Sequence, residues 1–333
     1  MPRMVPRSRN HPRPAPERGA LMLGDAADLA RARADLVGVA VRTPLLEVEG
    51  FAHPVRIKAE NQQPIGAFKL RGAWTALSRL GPEDRARGVI TSSSGNHGYG
   101  IAWAAHRLGV RAVIVMPQST PQIKQDNIRA VGGEIHLVGA VRGPEQFTFA
   151  EEMAAAEGLT MIHPYDHPDV IAGQATCTVE ILEDWPEVST VVIPTGGGGL
   201  LSGACLAALA SGRPLRLVGV EPEGIPKLSQ ALSTDKAVDV GAGTSLADGI
   251  LTRSLGRLTW PIIQGMAVEA IGVSDAEIRD ALRWLDARGV RAEPSGAASV
   301  AALVSGKLTL SGPTALVVSG GNVDPGVYAQ LVN

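Results

Sequence analysis

Short runs rich in β-branched residues alternate with longer amphipathic stretches along most of the chain. The short runs predict strands at VRIKAE (55–60), GVIT (88–91), RAVIVM (111–116), EIHLV (134–138), STVVIP (189–194), LRLVGV (215–220) and TALVVS (314–319). The stretches at 97–108, 121–131, 145–157, 170–184, 200–211, 275–288 and 295–305 predict helices. Several strands are apolar almost throughout, as when both faces of a sheet are covered. Alternation of this kind predicts an α/β protein with mostly parallel sheets. Three Gly- or Ser-rich turns follow strands directly: SSSGNHG (92–98), TGGGGLLSG (195–203) and SGGN (319–322). Parallel sheets bind ligands beyond the carboxyl ends of their strands, so the three turns are candidates for one shared site.

Composition narrows the picture. The 333 residues suit one large domain or two modest ones, and with 45% hydrophobic but only 4% aromatic residues the interior is built from Ala, Val, Leu and Gly. Such a core suits a small polar ligand better than a large apolar one. A net charge of −2 offers no basic stripe for nucleic acid. No apolar run approaches the roughly 18 residues that span a bilayer, so no membrane partner is expected. The Arg- and Pro-rich start, RSRNHPRPAPERG, reads as a disordered extension over 1–21 with no signal peptide; a basic targeting arm is the alternative. Cys177 and Cys205 lie in apolar surroundings and read as buried free thiols in a reducing cytoplasm. No Cys/His cluster has the spacing of a structural zinc site.

Four features carry candidate chemistry, and each has a plainer reading. Bare N–H groups of TGGGG before an Ala/Leu-rich helix make an anion site for phosphate; the alternative is a tight strand–helix turn. Lys69 lies between Phe68 and Leu70 at the start of a helical stretch, in a chain where only six of the 31 basic residues are lysine. Desolvation there lowers an amine's pKa and makes it a nucleophile toward carbonyls; the alternative is a snorkelling surface lysine. SSSGNHG offers donors for a carboxylate or phenolic oxygen, or simply caps a helix. SGGN offers a hydroxyl at a strand end, or a plain turn. Together they supply what pyridoxal phosphate requires: a phosphate site, a Schiff-base lysine and a partner for the pyridine nitrogen.

The segment KAENQQPIGAFKLRGA (58–73) resembles the K-x-E-x-x-Q-x-x-G-S-F-K-x-R-G-A motif of fold-type II pyridoxal-phosphate enzymes, in the branch of threonine/serine dehydratases and serine racemase, with Ala67 where Ser is commoner. SSSGNHGYG, HPYDHPDVIAGQATCTVEIL, PTGGGGLLSG, LADGI, EPSGAAS and VSGGNVD match in order, from about residue 25 onward. The resemblance implies two open, mostly parallel twisted sheets flanked by helices, as in the tryptophan synthase β fold. The cofactor would lie in the cleft between a large domain (22–78 and 162–333) and a small mobile one (79–161). It implies that Lys69 holds the cofactor and acts as base, Phe68 packs against the ring, and Asn96 meets the phenolic oxygen. It gives the phosphate to the N–H groups of Gly196, Gly197, Gly198, Gly199 and Leu200, and the pyridine nitrogen to Ser319. Ser93, Ser94, Gly95, Asn96 and His97 would hold the substrate carboxylate. A neutral Ser319 would leave the pyridine nitrogen unprotonated, favouring prompt β-elimination over a long-lived carbanion.

The implied activity is a dehydratase (ammonia-lyase) acting on serine, threonine or a related β-hydroxy amino acid. The alternatives are an amino-acid racemase, with Ser94 as the acid/base on the second face, and a 3-hydroxyaspartate ammonia-lyase, for which Arg142 is a candidate dicarboxylate contact, its plainer and favoured reading being a surface arginine. A β-replacement synthase fits the GGGGL loop less well, and a non-catalytic binder is the remaining class. Members of the branch bind a divalent cation near VEPEGIP (220–226). Glu221 matches the carboxylate ligand and Ile225 offers a carbonyl, but Lys227 stands where Asp is expected, which argues against a metal. Tyr165 lies beside the expected side-chain pocket, its hydroxyl facing either substrate or water. A homodimer without a C-terminal regulatory domain is the expected assembly.

Overall fold

A computed structural model describes residues 26–141 and 143–333; the expected N-terminal extension and Arg142 lie outside the described residues. Among the described residues the ten strands are β1 (Leu45–Val48), β2 (Val55–Ala59), β3 (Val89–Ser92), β4 (Ala112–Met116), β5 (Glu134–Leu137), β6 (Thr160–Met161), β7 (Thr190–Pro194), β8 (Arg216–Pro222), β9 (Val268–Val273) and β10 (Thr314–Val318). They form two sheets, one of six strands in the order β1-β2-β10-β7-β8-β9 and one of four in the order β5-β4-β3-β6. Every pairing is parallel except β1 with β2. The α/β reading with mostly parallel sheets therefore holds.

All seven expected strands form, with ends displaced by at most two residues. The three that the hydrophobic pattern misses, β1, β6 and β9, are all outermost strands. Their residues are mostly half-buried or exposed, so the continuous apolar run that marks an inner strand is absent. The seven expected helices also form; among the described residues six further helices fall outside that set, including Lys69–Ser78, which starts on the candidate lysine itself.

The period of two along the inner strands sends side chains to opposite faces. Val191 and Ile193 of β7, with Ala315 and Val317 of β10, join the core under the helices Pro168–Asp184 and Gly199–Ser211. Val192, Leu316 and Val318 join the opposite core under Asp275–Asp286 and Pro294–Val304. The smaller sheet is likewise covered on both faces, by Asn96–Leu108 on one and Glu145–Glu157 on the other. Buried apolar area on both faces of two sheets is the main stabilising contribution. It fixes the strand ends from which the loops of the site project.

Candidate active site

A cavity of about 590 Å³ is lined by residues from both sheets' loops. The three turns singled out from the sequence all reach it. Ser92 ends β3 and Ser93, Ser94 and Gly95 follow it, Gly196–Gly198 follow β7, and Ser319 follows β10. A parallel sheet ends all its strands on one side, which brings distant segments together.

Lys69 and Phe68 also line the cavity. The Lys69 Nζ donates to the carbonyl of Pro164 at 2.6 Å and lies 5.2 Å from the centre of the Phe68 ring. Burial pushes its pKa down from 10.5 to about 8, with no counter-charge opposing the shift. The amine is thus substantially neutral near pH 8, the form that attacks carbonyls and accepts protons.

The glycine turn meets the start of the 13-residue helix Gly199–Ser211, whose N-terminus has no side-chain cap. Uncapped N–H groups with the positive end of the helix dipole behind them can hold an anion. Side chains are excluded along this turn. Gly198 has φ +95°, and a Cβ on Gly197 would lie 2.3 Å from the Tyr165 ring. Tyr165 is a cavity residue whose ring covers the glycine turn and meets His163 edge-on, with centroids 4.5 Å apart. Its ring has a packing role at the cradle, which the sequence alone did not distinguish.

The remaining expected residues fall as follows. Ser93, Ser94, Gly95, Asn96 and His97 line the cavity together with Leu200. His97 is buried, its Nε2 lies 3.2 Å from the carbonyl of Ile162, and its Nδ1 has no protein partner. Burial, reinforced by the charge of Lys69, holds its pKa well below the usual imidazole range, so the ring is neutral. Ser319 is buried at the end of β10, and its carbonyl accepts from the Phe68 N–H at 3.0 Å. Glu221, Ile225 and Lys227 do not line the cavity. Glu221 accepts from the amides of Leu228 (2.7 Å) and Ser229 (2.8 Å) and stands 3.6 Å from the buried Lys227 Nζ, which donates to the carbonyl of Ile250 at 3.1 Å. The Glu221 carboxylate therefore serves as a helix cap and lysine partner. Among the described residues no group of three His, Cys, Asp or Glu side chains is arranged to hold a metal ion.

Sequence reasoning missed Glu293. It stands before Pro294 in EPSGAAS and lines the cavity, where its Oε1 accepts from the Asn96 Nδ2 at 2.6 Å. Burial first, then the nearby Asp248, pushes its pKa up from 4.5 to about 8. The available signal was a carboxylate followed by Pro and an apolar helix. It did not distinguish a site residue from an ordinary helix start.

An amine with a lowered pKa, an uncapped helix N-terminus behind a glycine cradle and a buried hydroxyl converge at the ends of parallel strands. These features define an enzyme site able to take a phosphorylated aldehyde cofactor. The chain belongs to the pyridoxal-phosphate-dependent enzymes, whose family profile matches residues 38–320. It is 37% identical over 314 residues to the L-threonine ammonia-lyase of Thermotoga maritima, covering 92% of this chain and 77% of that one. It is 38% identical over 319 residues to the L-threo-3-hydroxyaspartate ammonia-lyase of a Pseudomonas species, covering 94% and 99%. The structure of maize serine racemase superposes with a TM-score of 0.88 at 33% identity, covering 92% of this chain and 96% of that one. The residues present are of the kinds the family's cofactor needs: a cavity amine at Lys69, uncapped N–H groups at the glycine turn and a hydroxyl at Ser319.

Proposed function

We propose that this chain is a pyridoxal-phosphate-dependent ammonia-lyase that converts serine, threonine or a related β-hydroxy amino acid to a 2-oxo acid and ammonia. The observation that carries this reading is Lys69, a cavity amine with a depressed pKa that donates to the Pro164 carbonyl and, among the described residues, pairs with no carboxylate. Bound pyridoxal phosphate supplies the electron sink that lets bonds at the substrate's α-carbon break. In this reading Lys69 would hold the cofactor, and its neutral Nζ would take the α-proton of the substrate as general base. The serine and amide groups of Ser93–His97 hold the substrate carboxylate, and Phe68 and Tyr165 exclude water from the cradle. The β-hydroxyl leaves as water and the C–N bond is hydrolysed by water, so the net products are one 2-oxo acid and one ammonia.

The smaller sheet and its helices act as a mobile domain over 79–161 that closes on the cavity from the side of Gly143–Phe147. The proposed assembly is a homodimer in the cytoplasm, and the two buried free thiols support a reducing compartment. Among the described residues no helix is long and apolar enough to cross a membrane.

A second reading, amino-acid racemase, is supported by Ser94 lining the same cavity as Lys69 and by the likeness to maize serine racemase. Incubating the cofactor-loaded protein with each enantiomer of serine and threonine, and with L-threo-3-hydroxyaspartate, separates the readings. Formation of 2-oxo acid and ammonia in equal amounts supports the lyase. Accumulation of the opposite enantiomer without 2-oxo acid supports the racemase and overturns the primary reading.

A further inference from the structure

The side-chain amide of Asn96 is held at both ends. Its Nδ2 donates to the Glu293 Oε1 at 2.6 Å, and its Oδ1 accepts from the Asn322 Nδ2 at 2.8 Å. Asn322 is anchored in turn, because its Nδ2 also donates to the carbonyl of Ile65 at 2.7 Å. A backbone carbonyl only accepts, so this contact fixes which end of Asn322 carries the nitrogen. Both N–H bonds of Asn322 are then spoken for, the oxygen of Asn96 must face it, and the nitrogen of Asn96 must face Glu293. One N–H of Asn96 remains, on a residue that lines the cavity.

The surrounding backbone is shaped for this relay. Gly66 has φ +72°, and a Cβ there would lie 2.4 Å from the Asn322 Oδ1. A Cβ on Gly320 would lie 2.3 Å from the Glu293 Oε1 and 3.1 Å from the Asn96 Nδ2. The Glu293 N–H donates to the carbonyl of Gly320 at 3.0 Å, tying the carboxyl-bearing residue to the same turn. Gly66 of the GAFK segment, and Gly320 and Asn322 of SGGN, thus surround one amide.

We propose that Glu293 and Asn322 are positioning residues that hold the Asn96 amide with an N–H turned into the cavity, so that the site offers a directed donor to the ring oxygen of the bound cofactor. The proposal rests on the pyridoxal-phosphate reading above. A free asparagine amide would present its oxygen as readily as its nitrogen, and an oxygen facing an oxygen is repulsive. Glu293 serves whether ionised or neutral, since either form accepts through Oε1. A glutamine in its place retains an acceptor, whereas a methionine of similar length has none.

The test compares Glu293→Gln, Glu293→Met, Asn322→Ala and Asn322→Asp with the unaltered protein. The readouts are the dissociation constant for pyridoxal phosphate, the pH midpoint of the bound cofactor's visible absorption, and the melting temperature without cofactor. A lost or reversed hydrogen bond in a buried site predicts cofactor binding weakened by about tenfold in Glu293→Met and Asn322→Asp, with a displaced pH midpoint. Glu293→Gln should bind within about twofold of the unaltered protein, and Asn322→Ala should fall between. Equal behaviour of the Gln and Met variants overturns the proposal, because packing or charge would then explain Glu293. If Glu293→Met does not fold, unchanged binding and absorption in Asn322→Asp overturn it. Failure of the unaltered protein to take up pyridoxal phosphate would overturn the functional reading itself. Normal uptake by it and by every variant would overturn this inference alone.

Discussion

The segment from Lys58 to Arg71 sends its charged side chains into two regions with opposite consequences. On one side, Lys58 pairs with Glu180 at 2.6 Å and donates to the carbonyl of Thr43, while Arg71 grips Glu60 and Glu180 at 2.7–2.8 Å. Thr43 and Gln63 complete the shell around Glu60. Burial works to raise the Glu60 pKa, but Arg71 and Lys58 outweigh it and hold the carboxyl below its usual range. On the other side, Lys69 is turned into the cavity with a carbonyl as its partner, and burial alone sets its pKa. In these two regions burial gives an inert frame where Arg71 and Lys58 meet Glu60 and Glu180, and a reactive amine where Lys69 meets no carboxylate. One motif therefore carries both the frame and the reagent.

The comparison breaks most readily at Lys69. Lys69→Ala is expected to lower turnover of a productive β-hydroxy amino acid by more than about a thousandfold, since nucleophile and base are lost together. Thermal unfolding of the same variant should show it folded. Arg71→Leu is expected to act the other way, on stability before chemistry. It strands Glu60 in the core, and removing one partner of a buried ion pair costs about 3–5 kcal/mol. Urea unfolding should register that loss; a midpoint equal to the unaltered protein's would mean that the ionic frame contributes nothing.

A smaller effect separates the two regions by pH. Without cofactor, the folded chain disfavours the Lys69 ammonium, so the unfolded chain binds more protons between about pH 8 and 10.5. Stability contributed by Lys69 should rise with pH through that window. Lys227, also pushed down to about 8 by burial despite Glu221, adds a rise of the same sign. Lys69→Met should flatten part of the slope in denaturant titrations, and an unchanged slope would contradict the depressed pKa. The smallest effect is expected at the ion pair of Lys124 with Asp248, 2.9 Å apart and partly exposed, which joins a helix beside the smaller sheet to the turn Asp248–Ile250. Lys124→Ala should change stability by no more than about 1 kcal/mol, and less at high salt.

Much of the frame was legible because inner parallel strands are apolar on both faces and their terminal turns carry glycine and serine. The outer strands β1, β6 and β9 were not, since a sheet edge needs no continuous apolar run. Lys69, the glycine cradle and Ser319 were legible as one site through the resemblance and through the rule that strand ends converge. Glu293 and Asn322 were not, because their meaning lies in hydrogen bonds to Asn96 across 197 and 226 residues of chain. The cavity wall from Gly143 to Phe147 and from Thr252 to Ser254 also lacked any signature. Loops of that kind are placed by tertiary packing and vary with the substrate they meet.

Among the described residues Lys69 is the only lysine that lines the cavity, and in the proposed reading it is the amine that bonds the cofactor. Borohydride reduction of the protein loaded with pyridoxal phosphate, followed by peptide mapping, tests it directly. A stable pyridoxyl adduct is expected on Lys69 and none on Lys58 or Lys227, which pair with carboxylates and do not line the cavity. An adduct on either of those lysines, or reduction that leaves Lys69 unmodified, would contradict it.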